Sequence, residues 1–212
     1  LASPSAPAGS VARPTLDPDH VLLGPSFSSS LQPQATIWQR SLDTAQLPWL
    51  IDHQVQAELV LPGAAYVECA LQAAHLRWGE APVEISDVVF EQMMVLPRDA
   101  ALDLQVVWRA EEGSASFQVS SRRDDRDWTR HAAGNVQRLK DAASPQIDPP
   151  QARWQQLTQQ VDVAALYQSF QARQMAYGPA FQGIVELRAD DRQALARVRL
   201  PDAVSSAGYV VH

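Results

Sequence analysis

The chain has 212 residues, of which 46% are hydrophobic and 19% charged, and its formal net charge is −7. These values are typical of a globular protein with one or two domains and a sizeable core. The charge is spread along the chain without a basic stripe, which argues against nucleic acid as a partner. No apolar run approaches the roughly 20 residues that span a bilayer, and the first residues do not resemble a signal peptide. We therefore expect a cytoplasmic protein with no membrane role.

The chain contains one cysteine, Cys69, so it has no internal disulfide and no cysteine and histidine cluster for zinc. Cys69 lies in a segment rich in small and apolar residues, which predicts a buried side chain rather than a nucleophile. We expect neither a metal nor a dissociable cofactor.

Two proline-rich stretches divide the sequence. Residues 1–19 contain four prolines among Ser, Ala and Gly, which is linker composition and indicates a domain cut from a longer polypeptide. Residues 141–152 contain three prolines and no apolar periodicity, and we predict a second linker there. The predicted units are therefore residues 20–140 and residues 153–212.

The first unit is predicted to contain one helix among many strands. Residues 63–78 are apolar around most of a helical circumference, as in a helix that is enclosed by a sheet. A curved antiparallel sheet around one central helix is the hot-dog arrangement. The segments with strand patterns are residues 35–43, 49–61, 83–96, 102–110, 114–122 and 128–139.

The second unit is predicted to start similarly and then to stop. Residues 161–174 read as an amphipathic helix, residues 177–183 as a loop, and residues 184–201 as a hairpin that turns at Asp190 and Asp191. The sequence then ends at His212. Either another segment completes this unit, or the unit is not a second hot dog.

His53 is the most informative single residue. It lies in an apolar segment just before Pro62, which suits the first turn of a helix. Free N–H groups at a helix start favour developing negative charge. A neutral imidazole held in apolar surroundings is suited to take a proton.

Four separated segments carry a family resemblance, and they occur in the family's order. Together they resemble the dehydratase domain of modular type I polyketide synthases, over residues 20–212. The resemblance implies an α+β double hot-dog fold with a complete N-terminal hot dog and a C-terminal hot dog that is truncated at its start. The segments are HVLLG (20–24), DHQVQAELVLPGAAYVECA (52–70), WTRHAAGNV (128–136) and YGPAFQGI (177–184).

Members of this family remove water from a β-hydroxyacyl chain carried as a thioester on acyl carrier protein. The resemblance places the catalytic base at His53, a supporting tyrosine at Tyr177, and the catalytic acid at an aspartate beyond His212. The implied partners are the carrier protein, whose phosphopantetheine arm brings the substrate, and neighbouring synthase domains. A homodimer is left open.

Water loss from a β-hydroxy thioester needs a base for the α-proton and an acid for the departing hydroxyl. The enolate-like oxygen needs preorganised donors, and the backbone N–H of Gly63 is our candidate. A further set of residues is expected to position the substrate or to line its pocket. The positioning residues are Pro62, Gly178 and Pro179, and the pocket residues are Ala57, Met175, Phe181 and Gln182.

Two residues depart from the family pattern. Ala57 replaces a glycine four residues after His53, where its methyl group is harmless or narrows the pocket. Gln174 replaces a glycine three residues before Tyr177, where a polar side chain could change substrate positioning.

The remaining histidines have simpler structural readings. His131 is predicted to be structural, His20 a loop residue and His75 a helix-face residue. Asp52 is expected to face away from the imidazole of His53, because adjacent strand residues point to opposite faces.

Two other sets of residues are weaker candidates. Four arginines are close in sequence and could form a basic patch for the acidic carrier: Arg122, Arg123, Arg126 and Arg130. Four apolar residues are predicted to be core or tunnel lining: Phe90, Met93, Met94 and Leu96.

Two other functions stay open from the sequence. One is a dehydratase variant that also closes an oxygen ring or shifts the double bond. The other is a non-catalytic hot dog that serves as a structural or acyl-binding module.

Overall fold

The computed structural model describes residues 20–124, 126–140, 150–202, 204–205 and 207–209. The predicted linker 1–19 and residues 141–149 of the second linker lie outside these residues. Residues 150–152, which the sequence placed in that linker, are instead the start of a helix. Pro150 is its first residue, where a missing N–H costs nothing. The remaining limits of the two units stay a prediction.

The helices are α1 (Gly63–Trp78), α2 (Pro150–Gln156) and α3 (Val163–Ala172), with short 3₁₀ helices at Pro48–Asp52 and Pro179–Phe181. The strands before α2 are β1 (Ser26–Ser29), β2 (Gln32–Leu42), β3 (His53–Val55), β4 (Glu58–Val60), β5 (Val83–Phe90), β6 (Val95–Leu96), β7 (Leu102–Ala110), β8 (Ser114–Arg122) and β9 (Thr129–Arg138). The strands after it are β10 (Gln159–Gln160), β11 (Met175–Tyr177), β12 (Ile184–Ala189) and β13 (Ala194–Val198).

The largest sheet has six antiparallel strands in the order β1-β2-β7-β8-β9-β5. Its central strands β7 and β8 have the predicted bounds, since their apolar residues alternate clearly. Trp108 and Phe117 are opposite each other on these strands, and both are fully buried. Gly134 of β9 is opposite Phe117, and a Cβ there would come within 2.7 Å of the Phe117 ring. The ring therefore needs a glycine as its neighbour.

Helix α1 also has its predicted bounds and packs against this sheet. A stripe of small residues allows the helix to lie close to the strands, because no bulky side chain separates them. The helix ends at Gly79, whose φ of 66° suits glycine. Near that end, the rings of Trp78 and Trp108 meet edge to face with centroids 5.0 Å apart. The buried small residues are Cys69, Ala70, Ala73 and Ala74.

The prediction of one strand over residues 49–61 is wrong. The segment begins with a 3₁₀ helix, and β3 and β4 then form a tight hairpin. Gln56 and Ala57 make its turn with φ of 53° and 65°. A two-residue hairpin turn with both φ values positive usually has Asn-Gly or a similar pair, so Gln56 and Ala57 did not indicate a turn.

The prediction of one strand over residues 83–96 is also wrong. The segment divides into β5, at the edge of the six-stranded sheet, and β6, which pairs with β4 in another sheet. Within it, Met94 and Leu96 are buried core residues as predicted. Phe90 and Met93 are more than half exposed and belong to neither core nor cavity lining.

A four-stranded sheet in the order β11-β3-β4-β6 unites distant parts of the chain. Its strand β11 follows the second proline-rich stretch, and it pairs with β3 in the register Met175↔Val55 to Tyr177↔His53. The predicted loop 177–183 is therefore wrong for Tyr177, which ends β11, and for residues 179–181, which are helical.

A third sheet has the order β10-β12-β13. The predicted hairpin over residues 184–201 is confirmed by β12 and β13. The Asp190 carboxylate stabilises its turn by accepting from the N–H groups of Arg192 and Gln193. The predicted helix 161–174 is shorter than expected, because the Asp162 carboxylate caps it at Val163.

Candidate active site

His53 begins β3 and is half-buried. Its Nδ1 lies 2.8 Å from the carbonyl oxygen of Val60, across the β3–β4 hairpin. A carbonyl oxygen can only accept, so Nδ1 carries the proton and Nε2 keeps its lone pair. Among the described residues, Nε2 has no hydrogen-bond partner. The hairpin thus fixes the tautomer and leaves one basic nitrogen available.

Burial lowers the pKa of His53 below its ordinary value of 6.5, against smaller opposing effects of backbone hydrogen bonds. Burial also lowers the pKa of His131. Desolvation disfavours the charged imidazole in both cases. Both side chains are consequently neutral near neutral pH.

These two histidines predict how stability depends on pH. A lowered folded-state pKa means that the unfolded chain binds more protons between that pKa and 6.5. We expect the free energy of unfolding to be greatest above pH 6.5 and to fall as the pH is lowered through this window. Urea unfolding on both sides of pH 6.5 measures this, and His53→Gln should flatten the slope. A free energy that rises on acidification would contradict the prediction.

Aromatic rings surround the imidazole of His53. The Tyr177 ring lies 5.4 Å from it and the Phe181 ring 5.0 Å, centroid to centroid. Phe170 of α3 packs edge to face on Tyr177, and Trp49 packs on Phe181. The structure therefore brings the predicted base and the predicted tyrosine together, with an apolar wall beside them.

The predicted positioning residues are near the same place. Pro62 is the residue before α1 rather than its first residue, so Gly63 begins the helix. The N–H of Gly63 is one of the first helical N–H groups, which have no acceptor within the helix. Gly178 and Pro179 open the short helix that ends at Phe181.

Met175 and Gln182, two other predicted pocket residues, both contact the strands that carry His53 and Tyr177. Met175 is half-buried and pairs with Val55. Gln182 is exposed, and its Nε2 donates to the Tyr177 carbonyl at 2.7 Å.

Ala57 and Gln174, the two departures from the family pattern, share one property. Both have positive φ, 65° and 63°, a conformation that favours glycine. Both are also exposed, so Ala57 does not narrow a pocket. The Gln174 carbonyl accepts from the N–H of Gln56, the residue before Ala57, at 2.7 Å. The two positive-φ segments are therefore hydrogen-bonded to each other. The cost of these departures is backbone strain beside the site.

We expect Ala57→Gly to stabilise the fold by about 0.5–1 kcal/mol, because glycine removes the left-handed strain and loses part of the gain to its unfolded-state entropy. Urea unfolding measures the change. Gly113→Ala is the reverse control, since Gly113 has a φ of 74° and open space around its missing Cβ. The Gly113→Ala variant should lose a similar free energy of unfolding. If both variants are as stable as the parent chain, the backbone at Ala57 is not strained.

An apolar cavity of about 500 Å³ lies along the start of α1. His53 does not line it, but the Phe181 ring contacts His53 and also forms part of the cavity wall. The cavity is lined mainly by apolar side chains, including Leu22, Trp49, Pro62, Val198 and Leu200.

A buried polar cluster beside this cavity was missed by the sequence analysis. Glu68 of α1 is 1% exposed, and its carboxylate accepts from Gln72 Nε2 at 2.9 Å. His20, predicted to be a loop residue, is in a turn but buried, with Nε2 3.4 Å from the same carboxylate. Its Nδ1 accepts from the Leu22 N–H, so Nε2 carries the proton. The sequence signal for this cluster was the pair Glu68 and Gln72, two polar residues four positions apart on an otherwise apolar helix.

The other histidine and cysteine predictions agree with the structure. His131 is buried on β9 between Ser121 Oγ at 2.7 Å and the Gln92 carbonyl at 3.1 Å, as expected of a structural residue. His75 lies half-buried on a face of α1. Cys69 is fully buried, and burial raises the pKa of its thiol, so it is not a reactive nucleophile.

Most of the four arginines that could form a basic patch lie near carboxylates. Arg122 pairs with Asp103 and stacks on Trp128, and Arg130 pairs with Glu91. Arg123 lies 3.8 Å from Asp124. Much of the positive charge is therefore neutralised locally.

The described residues contain no group of three or more His, Cys, Asp or Glu residues that could hold a metal ion. None of their helices is long and apolar enough to cross a membrane.

Comparison with known proteins decides the family. Residues 20–122 match the model of the polyketide synthase dehydratase domain, and residues 145–212 match that of the polyketide synthase dehydratase N-terminal domain. The chain belongs to the polyketide synthase dehydratase family. The dehydratase domain of the polyketide PpsC from Mycobacterium tuberculosis is 31% identical, with a TM-score of 0.74, over 90% of this chain and 68% of that one.

Other relatives of this dehydratase chain agree. A mycocerosic acid synthase-like polyketide synthase of Mycobacterium tuberculosis is 34% identical over 91% of this chain, which spans 9% of that relative's length. The CurK dehydratase is 27% identical with a TM-score of 0.82, over 91% of this chain and 69% of that one. That structure is an inactive mutant with an aspartate changed to asparagine, and another inactive CurK mutant has a histidine changed to phenylalanine. The α+β double hot-dog fold is confirmed, whereas the truncation of the C-terminal hot dog stays a prediction.

Proposed function

We propose that this chain removes water from a β-hydroxyacyl thioester on acyl carrier protein and gives an α,β-unsaturated thioester, with His53 as the base. The observation that carries the proposal is the hydrogen bond from His53 Nδ1 to the Val60 carbonyl. It leaves Nε2 as the basic nitrogen, in a half-buried place that favours the neutral imidazole.

The reaction needs two proton transfers. His53 Nε2 takes the α-proton, the C–O bond at the β-carbon breaks, and an acid protonates the departing hydroxyl to give water. We assign that acid to an aspartate beyond His212, by resemblance to the family. The two inactive CurK mutants, one at a histidine and one at an aspartate, support such a pair.

The enolate-like oxygen that forms on the thioester carbonyl needs a donor. The backbone N–H of Gly63 is suited to this role, because it opens α1 and has no partner within the helix. Loss of a comparable donor costs about 3–4 kcal/mol of transition-state stabilisation.

The surrounding residues hold the substrate in place. Tyr177, Gly178 and Pro179 position it, while the apolar cavity beside Phe181 and Pro62 is suited to an acyl chain. Met175 and Gln182 support the strand that presents Tyr177. The step is redox-neutral and needs only a base and an acid, so we propose no dissociable cofactor. The partners that we propose are the carrier protein and the neighbouring synthase domains.

The proposal is tested by measuring water loss from the substrate directly. The full-length polypeptide that contains this chain is given a β-hydroxyacyl thioester on acyl carrier protein, and loss of one water is followed by mass spectrometry. An unsaturated thioester is the expected product. No water loss from a panel of chain lengths would overturn the proposal and favour a non-catalytic acyl-binding module. A ring product from a substrate with a distal hydroxyl would indicate the cyclising variant.

A further inference from the structure

Asp52 directly precedes His53, and both its backbone carbonyl and its carboxylate bond to another part of the chain. Its carbonyl oxygen accepts from the Gly178 N–H at 2.7 Å, and its Oδ2 accepts from the Ala180 N–H at 2.8 Å. The first bond extends the β3–β11 pairing by one residue beyond Tyr177↔His53. The second holds residues 178–181, which include the short helix Pro179–Phe181 and are called here the 178–181 loop because they connect β11 to β12.

The second bond caps the short helix of this loop, which has no capping side chain of its own. Gly178 is the residue before the short helix Pro179–Phe181 and has no side chain that could cap it. The Asp52 carboxylate, 128 residues away in sequence, instead accepts from the Ala180 N–H in the first turn of that helix. A carboxylate acceptor makes a stronger bond to an N–H than a neutral group does.

Gly178 is needed for this contact because of space. Its φ is −79°, which any residue can adopt, so backbone conformation does not require glycine. A Cβ there would collide with the Asp52 side chain, including its Cβ at 2.8 Å. The glycine allows the carboxylate to pass under the loop and reach Ala180.

The two residues that border this contact, Tyr177 and Phe181, are those whose rings touch the His53 imidazole. We infer that Asp52 is a positioning residue, which fixes the 178–181 loop on β3 and thereby holds the rings of Tyr177 and Phe181 against His53. The inference rests on the proposed role of His53 as the base. It assigns Asp52 no contact with substrate.

The experiment measures His53 directly, by NMR on the 212-residue chain. In Asp52→Ala, the loop loses its anchor, so we expect weaker contacts between the His53 and Phe181 rings. The titration midpoint of the imidazole should also rise toward 6.5, because burial is what lowers it. Asp52→Asn keeps an oxygen that can accept from Ala180 and should restore both signals.

Asp190→Ala is the matched control, since Asp190 also accepts from backbone N–H groups in a turn but lies in the β12–β13 hairpin. It should leave the His53 signals unchanged. A folded Asp52→Ala chain with unchanged His53 contacts and titration would overturn the inference. If that variant does not fold, amide exchange in the unmodified chain decides, since an Ala180 N–H that exchanges as fast as an unstructured peptide would also overturn it.

Turnover separates this inference from the proposed function. In the full-length polypeptide, Asp52→Ala should lower kcat by about 10- to 100-fold, since small misplacements of reacting groups have effects of that order. Asp52→Asn should recover most of the loss. Full turnover by a His53→Ala variant would disprove the proposed base, whereas the NMR contacts would still show whether Asp52 holds the loop.

Discussion

Replacement of His53 by alanine should lower kcat/KM for water loss by about 10²–10⁴-fold, the usual contribution of a general base. The variant keeps the apolar wall of Tyr177 and Phe181 but lacks the nitrogen that we propose takes the α-proton. The measurement is the initial rate of unsaturated thioester formation by the full-length polypeptide.

His75→Ala is the control for this experiment. His75 is also half-buried, but it lies on α1 outside the site. The His75→Ala variant should form the unsaturated thioester at a rate close to that of the unmodified protein. A His53→Ala variant with rates within a factor of two of the unmodified protein would remove His53 from the mechanism.

Replacement of Trp108 by alanine should lower the free energy of unfolding by about 3–5 kcal/mol. Trp108 is fully buried on the central strand β7 and supports the end of α1 through Trp78. The variant leaves a cavity that the surrounding sheet cannot close, since β7 is paired on both sides. Urea unfolding, with the slope checked against the parent chain, gives the loss.

Trp108→Phe is the matched comparison. It keeps an aromatic ring against Trp78 and removes the indole N–H, which has no hydrogen-bond partner among the described residues. We expect a loss of less than about 1.5 kcal/mol. Similar losses for both variants would show that the cavity is not the dominant cost.

Strands β7 and β8 were predicted with their observed bounds because their apolar residues alternate over much of their length. Helix α1 was predicted with its observed bounds because it is apolar around most of its circumference, as a helix enclosed by a sheet is. The β3–β4 hairpin was missed because its turn residues, Gln56 and Ala57, are not typical of positive φ.

The site could be predicted only in part. His53 and Tyr177 were named from the family motifs, and the structure shows that they are partners in one β-ladder. The contact of Asp52 with Ala180 could not be predicted, since it joins residues 128 apart through a backbone N–H that has no sequence signature. The sequence named Gly178 as a positioning residue but could not show the space that it leaves for the Asp52 side chain, which depends on the three-dimensional contact.

The pairing of β3 with β11 has a consequence for protein engineering. The proline-rich residues 141–149 look like a natural junction for recombining halves of different dehydratases. A chimaera joined there would set the His53 strand of one parent against the tyrosine strand of the other. Such a chimaera should therefore also carry substitutions in one half, so that residues 52–53 and residues 177–181 match the same parent.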